Sequence, residues 1–331
     1  MSLPLRNAAL EAAIEPRLAL VEERLRDAVA QSDRLADATS RHLVDAGGKR
    51  LRPVLTLLAA QLGEGSRPEV LDAAVVVELT HLATLYHDDV MDSAPTRRGA
   101  PAAHEVWGNS VAILTGDLLF ARASRVVAGL GPAAVRIQAE TFERLCLGQL
   151  HETVGPAEGE DPVVHYLDVL ADKTGSLIAT SARFGAMFAG CTPDVVEHVA
   201  QYGELAGVAF QIADDVLDIR SDGEVSGKTP GTDLREGVAT MPVLLLRQRV
   251  ALGQADPEDV ALLEAIDGDL ADDAALVEVV DRLRAHAVIG ETIELAQDWA
   301  DRAVEAIAPL PEGEVKQAFV AFAASLVARA A

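Results

Sequence analysis

Apolar residues recur along this chain at spacings of three and four, the signature of helices with one buried face. Leu18, Val21, Leu25 and Val29 form one such stripe. Gly and Pro fall in short breaks rather than inside the periodic stretches. The breaks lie at 63–68, 93–101, 129–132, 155–162, 190–193, 222–232 and 310–313. The spacing between them predicts about ten helices. No run alternates with period two and β-branched enrichment, so no strand is predicted. The fold class is therefore all-α. No linker is long or polar enough to divide the chain, so residues 1–331 read as a single domain. Residues 257–273 read as an acidic loop followed by a peripheral helix. Met1, Ser2 and Leu3 read as an added leader. The stretches 70–85 and 176–190 are apolar nearly all round, which predicts helices at the centre of a large bundle.

Composition narrows the function. Half of the 331 residues are apolar, which is ample for a core and excludes intrinsic disorder. Acidic residues number 52 against 28 basic, a net charge of −24, and such a surface repels nucleic-acid phosphates. Cys146 and Cys191 form no CxxC motif, which argues against a disulfide scaffold or thiolate zinc site and suits a reducing cytoplasm. No apolar run reaches about 18 residues, so no stable membrane insertion is expected. The first residues lack a signal-peptide pattern, and the expected location is cytoplasmic.

Two acidic motifs change the picture. Residues 87–92 read His-Asp-Asp-Val-Met-Asp, with Asp88, Asp89 and Asp92. Residues 214–218 read Asp-Asp-Val-Leu-Asp, with Asp214, Asp215 and Asp218. On a helix, positions i and i+4 share a face, so Asp88 pairs with Asp92 and Asp214 with Asp218. Like charges so placed cost a helix about 0.2–0.5 kcal/mol per pair. Two such motifs, each following an apolar run, call for a compensating cation. Oxygen-only ligands select a hard ion, Mg²⁺ rather than Zn²⁺. Mg²⁺ keeps waters and bridges carboxylates to substrate phosphates.

Basic residues stand where a diphosphate would need them. Gly47-Gly48-Lys49-Arg50-Leu51-Arg52-Pro53 is a glycine-led basic loop entering an apolar helix, and Arg52 can grip phosphate with two parallel bonds. Arg97-Arg98-Gly99 follows the first acidic motif. Lys173-Thr174 is read as the start of an apolar helix, whose free N–H groups favour anions. Lys228 lies ten residues after Asp218 in Gly227-Lys228-Thr229-Pro230-Gly231-Thr232-Asp233. That segment is no P-loop, since the preceding glycine spacing is absent.

Taken together, GGKRLRP at 47–53, HLATLYHDDVMD at 81–92, RRG at 97–99, GQ at 148–149, KT at 173–174, FQIADDVLD at 210–218 and GKTPGTD at 227–233 resemble the trans-isoprenyl (polyprenyl) diphosphate synthase family over essentially the whole chain. The resemblance implies a helical bundle around a deep central cavity, usually a homodimer. It implies Mg²⁺-dependent head-to-tail (1′-4) condensation of isopentenyl diphosphate onto an allylic diphosphate such as farnesyl or geranylgeranyl diphosphate, with three ions in the substrate complex. Asp88 and Asp92 would hold Mg²⁺ on one wall and Asp214 on the other. Asp89, Asp215 and Asp218 would act behind them or through water. Lys49, Arg52, His81 and Arg98 would hold isopentenyl diphosphate. Arg97, Lys173, Thr174, Gln211 and Lys228 would hold or flank the allylic diphosphate. Tyr86 and His87 receive no catalytic role.

In the family, the helix before the first acidic motif lines the tunnel down which the product grows, and a bulky residue there stops it. Here Ala83, Thr84 and Thr80 occupy that face, with Val77 and Val76 deeper, so no aromatic blocks it. The expected product is therefore C30 or longer. Phe120 and Phe142 are candidates for a floor supplied by other helices. Where the family often carries a second lysine after the glycine loop, this chain has Val238, and it ends without a basic tail except for Arg329. Three rivals remain: a geranylgeranyl diphosphate synthase (C20), a terpene cyclase, and a non-catalytic subunit of a heteromeric synthase. The intact second acidic motif and the basic motifs argue against the cyclase. The retention of all six aspartates argues against the subunit.

Overall fold

The computed structural model describes residues 7–220 and 230–329. The chain forms two compact units. The first comprises Met1–Leu145, Ser176–Gly203 and Ala306–Ala321, and the second Cys146–Gly175, Glu204–Glu305 and Phe322–Ala331.

The first unit is built around α4, Pro68–Met91. Proline at its first turn needs no N–H partner there. From Val70 to Tyr86 the helix is buried nearly all round, as its sequence predicts, because four helices of nine residues or more pack on it. These are α1 (Ala8–Val29), α3 (Leu51–Ala59), α6 (Asn109–Gly129) and α9 (Ser176–Phe188). Val21, Leu25 and Val29 of the predicted stripe are fully buried, while Leu18 is half-buried. α9 approaches α3 at Gly185, where a Cβ would stand 2.1 Å from the Thr56 carbonyl oxygen. Only glycine fits that crossing. Ala73, Val76, Val77, Val127, Leu177 and Phe184 form much of the core.

Helix α2 (Arg34–Asp45) opens on Asp33, whose side chain accepts from Ala36 N. Connections closed by such aspartate caps, Asp33 here and Asp272 later, carry no Gly–Pro break, so the chain divides into more helices than the breaks mark. A small ladder pairs β1 (Thr96–Arg97) with β2 (Ala100–Pro101). Arg98 and Gly99 both have positive φ, 54° and 78°, the geometry of a two-residue hairpin turn. Strands of two residues are too short to leave a period in the sequence. The short helix α5 (Ala103–Trp107) follows.

In the second unit, α7 (Pro132–Val154) contributes its residues from Cys146 onward and α10 (Pro193–Arg220) those from Glu204 onward. Helix α8 (Pro162–Leu170), capped by Asp161, runs straight into a π-helical turn, Ala171–Gly175. Residues 257–266 form a helix and the loop comes after it, the reverse of the order the acidic composition suggests. Asp256 and Asp259 close a reciprocal capping box at its start, so the acidic residues begin the helix rather than precede it. Leu262 and Ile266 are buried.

Candidate active site

In the first unit, α4 carries His81, Asp88 and Asp92 along one course. Asp88 is half-buried, and Asp92 is the exposed residue that caps the helix C-terminus. Asp89 turns the other way. It is fully buried, and Arg97 Nε donates to its Oδ1 at 2.6 Å. Burial pushes the Asp89 carboxyl up, and the Arg97 charge opposes that shift. Its Oδ2 has no hydrogen-bond partner among the described residues.

The hairpin turn sends Arg98 elsewhere. Its Nη1 donates to the Leu43 carbonyl at 3.1 Å and to the Gly47 carbonyl, and Nη2 lies 3.8 Å from Glu78. Gly48 accommodates the guanidinium, since a Cβ there would lie 2.8 Å from Arg98 Cζ. The basic loop thus divides its cations. Arg50 turns inward with φ 50° and is locked by Glu22 at 2.5 Å and Glu78 at 2.8 Å. Lys49 is exposed and Arg52 half-buried. Burial lowers Arg52 to about 10, so it stays charged near neutrality, and its Nε is buried with no hydrogen-bond partner among the described residues.

His81 stands in the field of Arg52, Arg98, Arg97 and Arg50. Burial, reinforced by these four charges, holds it well below its ordinary value. The ring is therefore neutral at pH 7 and can act as a hydrogen-bonding group, not a cation. Arg52, His81, Arg97 and Arg98 form one electrostatic cluster, with Glu78 at its base and Asp88 beside Arg52. Tyr86 is a core strut: its hydroxyl donates to the Thr39 carbonyl at 2.5 Å.

On the proposed tunnel face, Ala83 and Thr80 are buried and Thr84 is half-buried. Thr80 Oγ1 accepts from Gln138 Nε2 at 2.7 Å, and Thr84 Oγ1 donates to the His81 carbonyl at 2.8 Å. The Phe120 and Phe142 rings meet at a 49° tilt with centroids 4.2 Å apart, and the His87 ring lies 5.8 Å from Phe120.

In the second unit, Lys173 and Thr174 lie within the π-turn. Helix α8 precedes them, so they do not open a helix, and the free N–H groups expected there are not available. What displaces the regular ladder is a π-bulge, a feature often found at functional sites. The turn is packed against Gly148, where a Cβ would lie 2.7 Å from Lys173 N. Lys173 Nζ donates to Glu152 Oε2 at 2.5 Å, and Thr174 Oγ1 to Gln211 Oε1 at 3.3 Å. Asp214 Oδ1 forms an ion pair with Arg329 Nη1 at 3.0 Å. Asp215 is buried, and its Oδ2 accepts from Tyr166 Oη at 2.9 Å and Met241 N at 3.2 Å. Burial pushes Asp215 up to about 8, against the pull of those two donors. The Asp218 carbonyl accepts from Gly231 N at 3.0 Å. Lys228 lies outside the described residues. Glu22, Glu78, Glu152 and Tyr166 carry no motif signal and emerge only from the packing.

Among the described residues, no group of three or more His, Cys, Asp or Glu side chains forms a ready-made metal cage. The donors offered by Asp88, Asp92 and Asp214 are carboxylates alone. Carboxylate donors of this kind fit an ion that keeps its waters and takes further ligands from phosphates, as Mg²⁺ does. A cavity of about 560 Å³ in the second unit is lined by Arg235, Val238, Arg247 and Leu270 among others. Val238, the site of the absent lysine, borders it.

Residues 33–283 match the family described as polyprenyl synthetase. The chain belongs to this family. It is 44% identical over 324 residues to a nonaprenyl diphosphate synthase of Mycobacterium tuberculosis, covering 98% of this chain and 95% of that one. The fold matches a polyprenyl synthase of Caulobacter crescentus, solved with calcium and isoprenyl diphosphate, with TM-score 0.87, 33% identity and 97% coverage of each chain. It also matches a geranylgeranyl pyrophosphate synthase of Corynebacterium glutamicum, again solved with calcium and isoprenyl diphosphate, with TM-score 0.85, 41% identity and 98% coverage of each. This polyprenyl synthetase is an all-α prenyltransferase, as its motifs imply. No helix of the described residues is long and apolar enough to cross a membrane.

Proposed function

We propose that this chain condenses isopentenyl diphosphate head-to-tail onto an allylic diphosphate, farnesyl or geranylgeranyl, to make a trans-polyprenyl diphosphate of C30 or longer. The observation that carries the reading is the gathering of Arg52, His81, Arg97 and Arg98 beside the helix that presents Asp88 and Asp92. Cations and paired carboxylates in one place suit a metal-bound diphosphate and little else.

On this reading Asp88, Asp92 and Asp214 hold Mg²⁺, three ions in the substrate complex. The bound ions would neutralise charge on the departing diphosphate. Asp89 and Asp215 are already engaged by Arg97 and by Tyr166 and Met241 N, which suits support rather than ligation. Lys49, Arg52, His81 and Arg98 hold the isopentenyl diphosphate. Arg97, Lys173, Thr174, Gln211 and Lys228 serve the allylic diphosphate. The allylic C1–O bond breaks with its electron pair leaving on diphosphate. The isopentenyl double bond attacks the resulting cation at C1, and a proton is lost from C2 to the released diphosphate. Apolar walls protect the cation from water. Arg52 and Arg98 supply fixed charge and His81 a neutral hydrogen bond, with no side-chain nucleophile.

The whole chain, 1–331, works as one synthase domain in the cytoplasm. A homodimer is part of the proposal: α6 leaves Ile113 and Leu114 exposed and α7 leaves Leu147 and Leu150, apolar faces that a second copy would cover.

The test is incubation of the purified chain with Mg²⁺, labelled isopentenyl diphosphate and either allylic primer, with products sized by chromatography. A ladder ending at 30 or more carbons is expected. A single C20 product would establish the geranylgeranyl alternative, and no product from folded protein would favour a non-catalytic subunit.

A further inference from the structure

Asp215 occupies an unusual position beside the second acidic motif. It is adjacent to Asp214, yet its side chain is buried and points away from solvent. Both donors it receives, Tyr166 Oη at 2.9 Å and Met241 N at 3.2 Å, converge on the same oxygen, Oδ2. Each donor belongs to a different segment.

Tyr166 lies on α8, which continues directly into the π-turn bearing Lys173 and Thr174. Asp215 lies on α10, four residues after Gln211 and one after Asp214. Met241 is the first residue of the helix Met241–Ala251, whose cap residue Thr240 makes no side-chain capping bond. Helix starts leave N–H groups without intrahelical partners, and a side chain normally takes one of them. Here Asp215, from another helix, does so. The short helix Thr232–Arg235 upstream of Met241 is tied to α10 as well, through its cap residue, with Gly231 N on the Asp218 carbonyl at 3.0 Å. The π-turn is tied there too, by Thr174 Oγ1 on Gln211 Oε1 at 3.3 Å. One buried carboxylate therefore joins three segments, and two of them carry residues assigned to the allylic diphosphate and its metal.

We infer that Tyr166 is a positioning residue for the allylic diphosphate site. Its hydroxyl fixes the carboxylate of Asp215, and through it the register between the Lys173–Thr174 turn and the Gln211–Asp214 turn of α10. The tyrosine hydroxyl touches no reacting atom in this role. A phenylalanine keeps the ring packing but removes the donor, so among the described residues Asp215 is left with the backbone N–H of Met241 and can rotate. The inference rests on the function proposed above.

The experiment uses Tyr166→Phe in the full chain, with inorganic diphosphate and Mg²⁺ as the binding probe, measured by calorimetry without turnover. Loss of such supporting hydrogen bonds costs about 10–100-fold in metal affinity in metal sites. The variant is expected to bind Mg²⁺-diphosphate at least about tenfold more weakly than the wild-type chain. In the steady state, KM for the allylic diphosphate and the half-saturating Mg²⁺ concentration rise, while KM for isopentenyl diphosphate holds. Tyr166→His, which can still donate, recovers part of the affinity. Unchanged Mg²⁺-diphosphate affinity in folded Tyr166→Phe overturns the inference. So does an equal rise in both KM values, which marks general loosening. Failure of the wild-type chain itself to bind Mg²⁺-diphosphate defeats the underlying function, a result distinct from failure of the variant alone.

Discussion

Arg329, near the end of the chain, places its guanidinium on Asp214, with Nη1 3.0 Å from Oδ1. The same group lies 5.2 Å from the centre of the Phe210 ring. The carboxylate proposed to hold metal is thus partly neutralised by an arginine, and a bound ion would compete with it. Both side chains are about one-third exposed, so the pair is of the modest kind, roughly 0.2–1 kcal/mol. Arg329→Gln is expected to raise the affinity of the substrate-free chain for Mn²⁺ by up to about fivefold, read by electron paramagnetic resonance. The difference should shrink as salt is added. Weaker Mn²⁺ binding in the variant would mean that Arg329 supports the site instead.

Arg50 and Glu78 pose the opposite case. Their side chains are 3% and 2% exposed and lie 2.8 Å apart. Removing one partner of a buried pair leaves the other charge stranded, at a cost of about 3–5 kcal/mol. Arg50→Ala should lower the unfolding free energy by that amount in urea titration. Arg52→Ala, two residues on, should leave stability within about 1 kcal/mol and act on KM for isopentenyl diphosphate. Equal destabilisation by both would refute the division of labour within the basic loop.

That division shows where the sequence is legible and where it is not. The carboxylate pairs can be read directly, because i, i+4 spacing is a property of any helix. The burial of α4 from Val70 onward can be read too, since an all-apolar stretch has nowhere else to go. Lys49, Arg50 and Arg52 cannot be told apart by spacing. Only the left-handed backbone at Arg50 and the two glutamates waiting for it decide which cation is structural. Glu78 and Tyr166 are likewise invisible, because their partners lie 28 and 49 positions away. Lys173–Thr174 misleads for a local reason. A π-turn and a helix start have the same composition, and they differ only in whether helix precedes them.

His81 sets a pH dependence. Its folded value lies well below the ordinary 6.5, through burial first and the neighbouring arginines second. The unfolded chain therefore takes up a proton near pH 6.5 that the folded chain refuses. Stability from this group is complete above about pH 6.5 and is lost as pH falls toward the folded value, by up to about 1.4 kcal/mol per pH unit. His81→Asn removes this contribution. Urea unfolding between pH 7.5 and 5 should show a shallower decline for the variant than for the wild-type chain. Parallel curves would place the ring in solvent.

The length of the product tests the small residues of α4. Ala83 is fully buried and Thr80 is tied to Gln138, so this face offers methyl and hydroxyl groups where larger side chains would project. Ala83 lies five residues before Asp88, just over one helical turn, or about 7.5 Å along the axis. If product grows along this face, as proposed, a phenol ring at that depth would stand in the path of the chain. Ala83→Tyr is therefore expected to end the product ladder below 30 carbons while first condensations proceed. Overpacking costs about 1–3 kcal/mol, so folding is checked by circular dichroism on the same sample. A folded variant with an unshortened ladder would move the stop to another helix, with the contacting pair Phe120 and Phe142 next to be truncated.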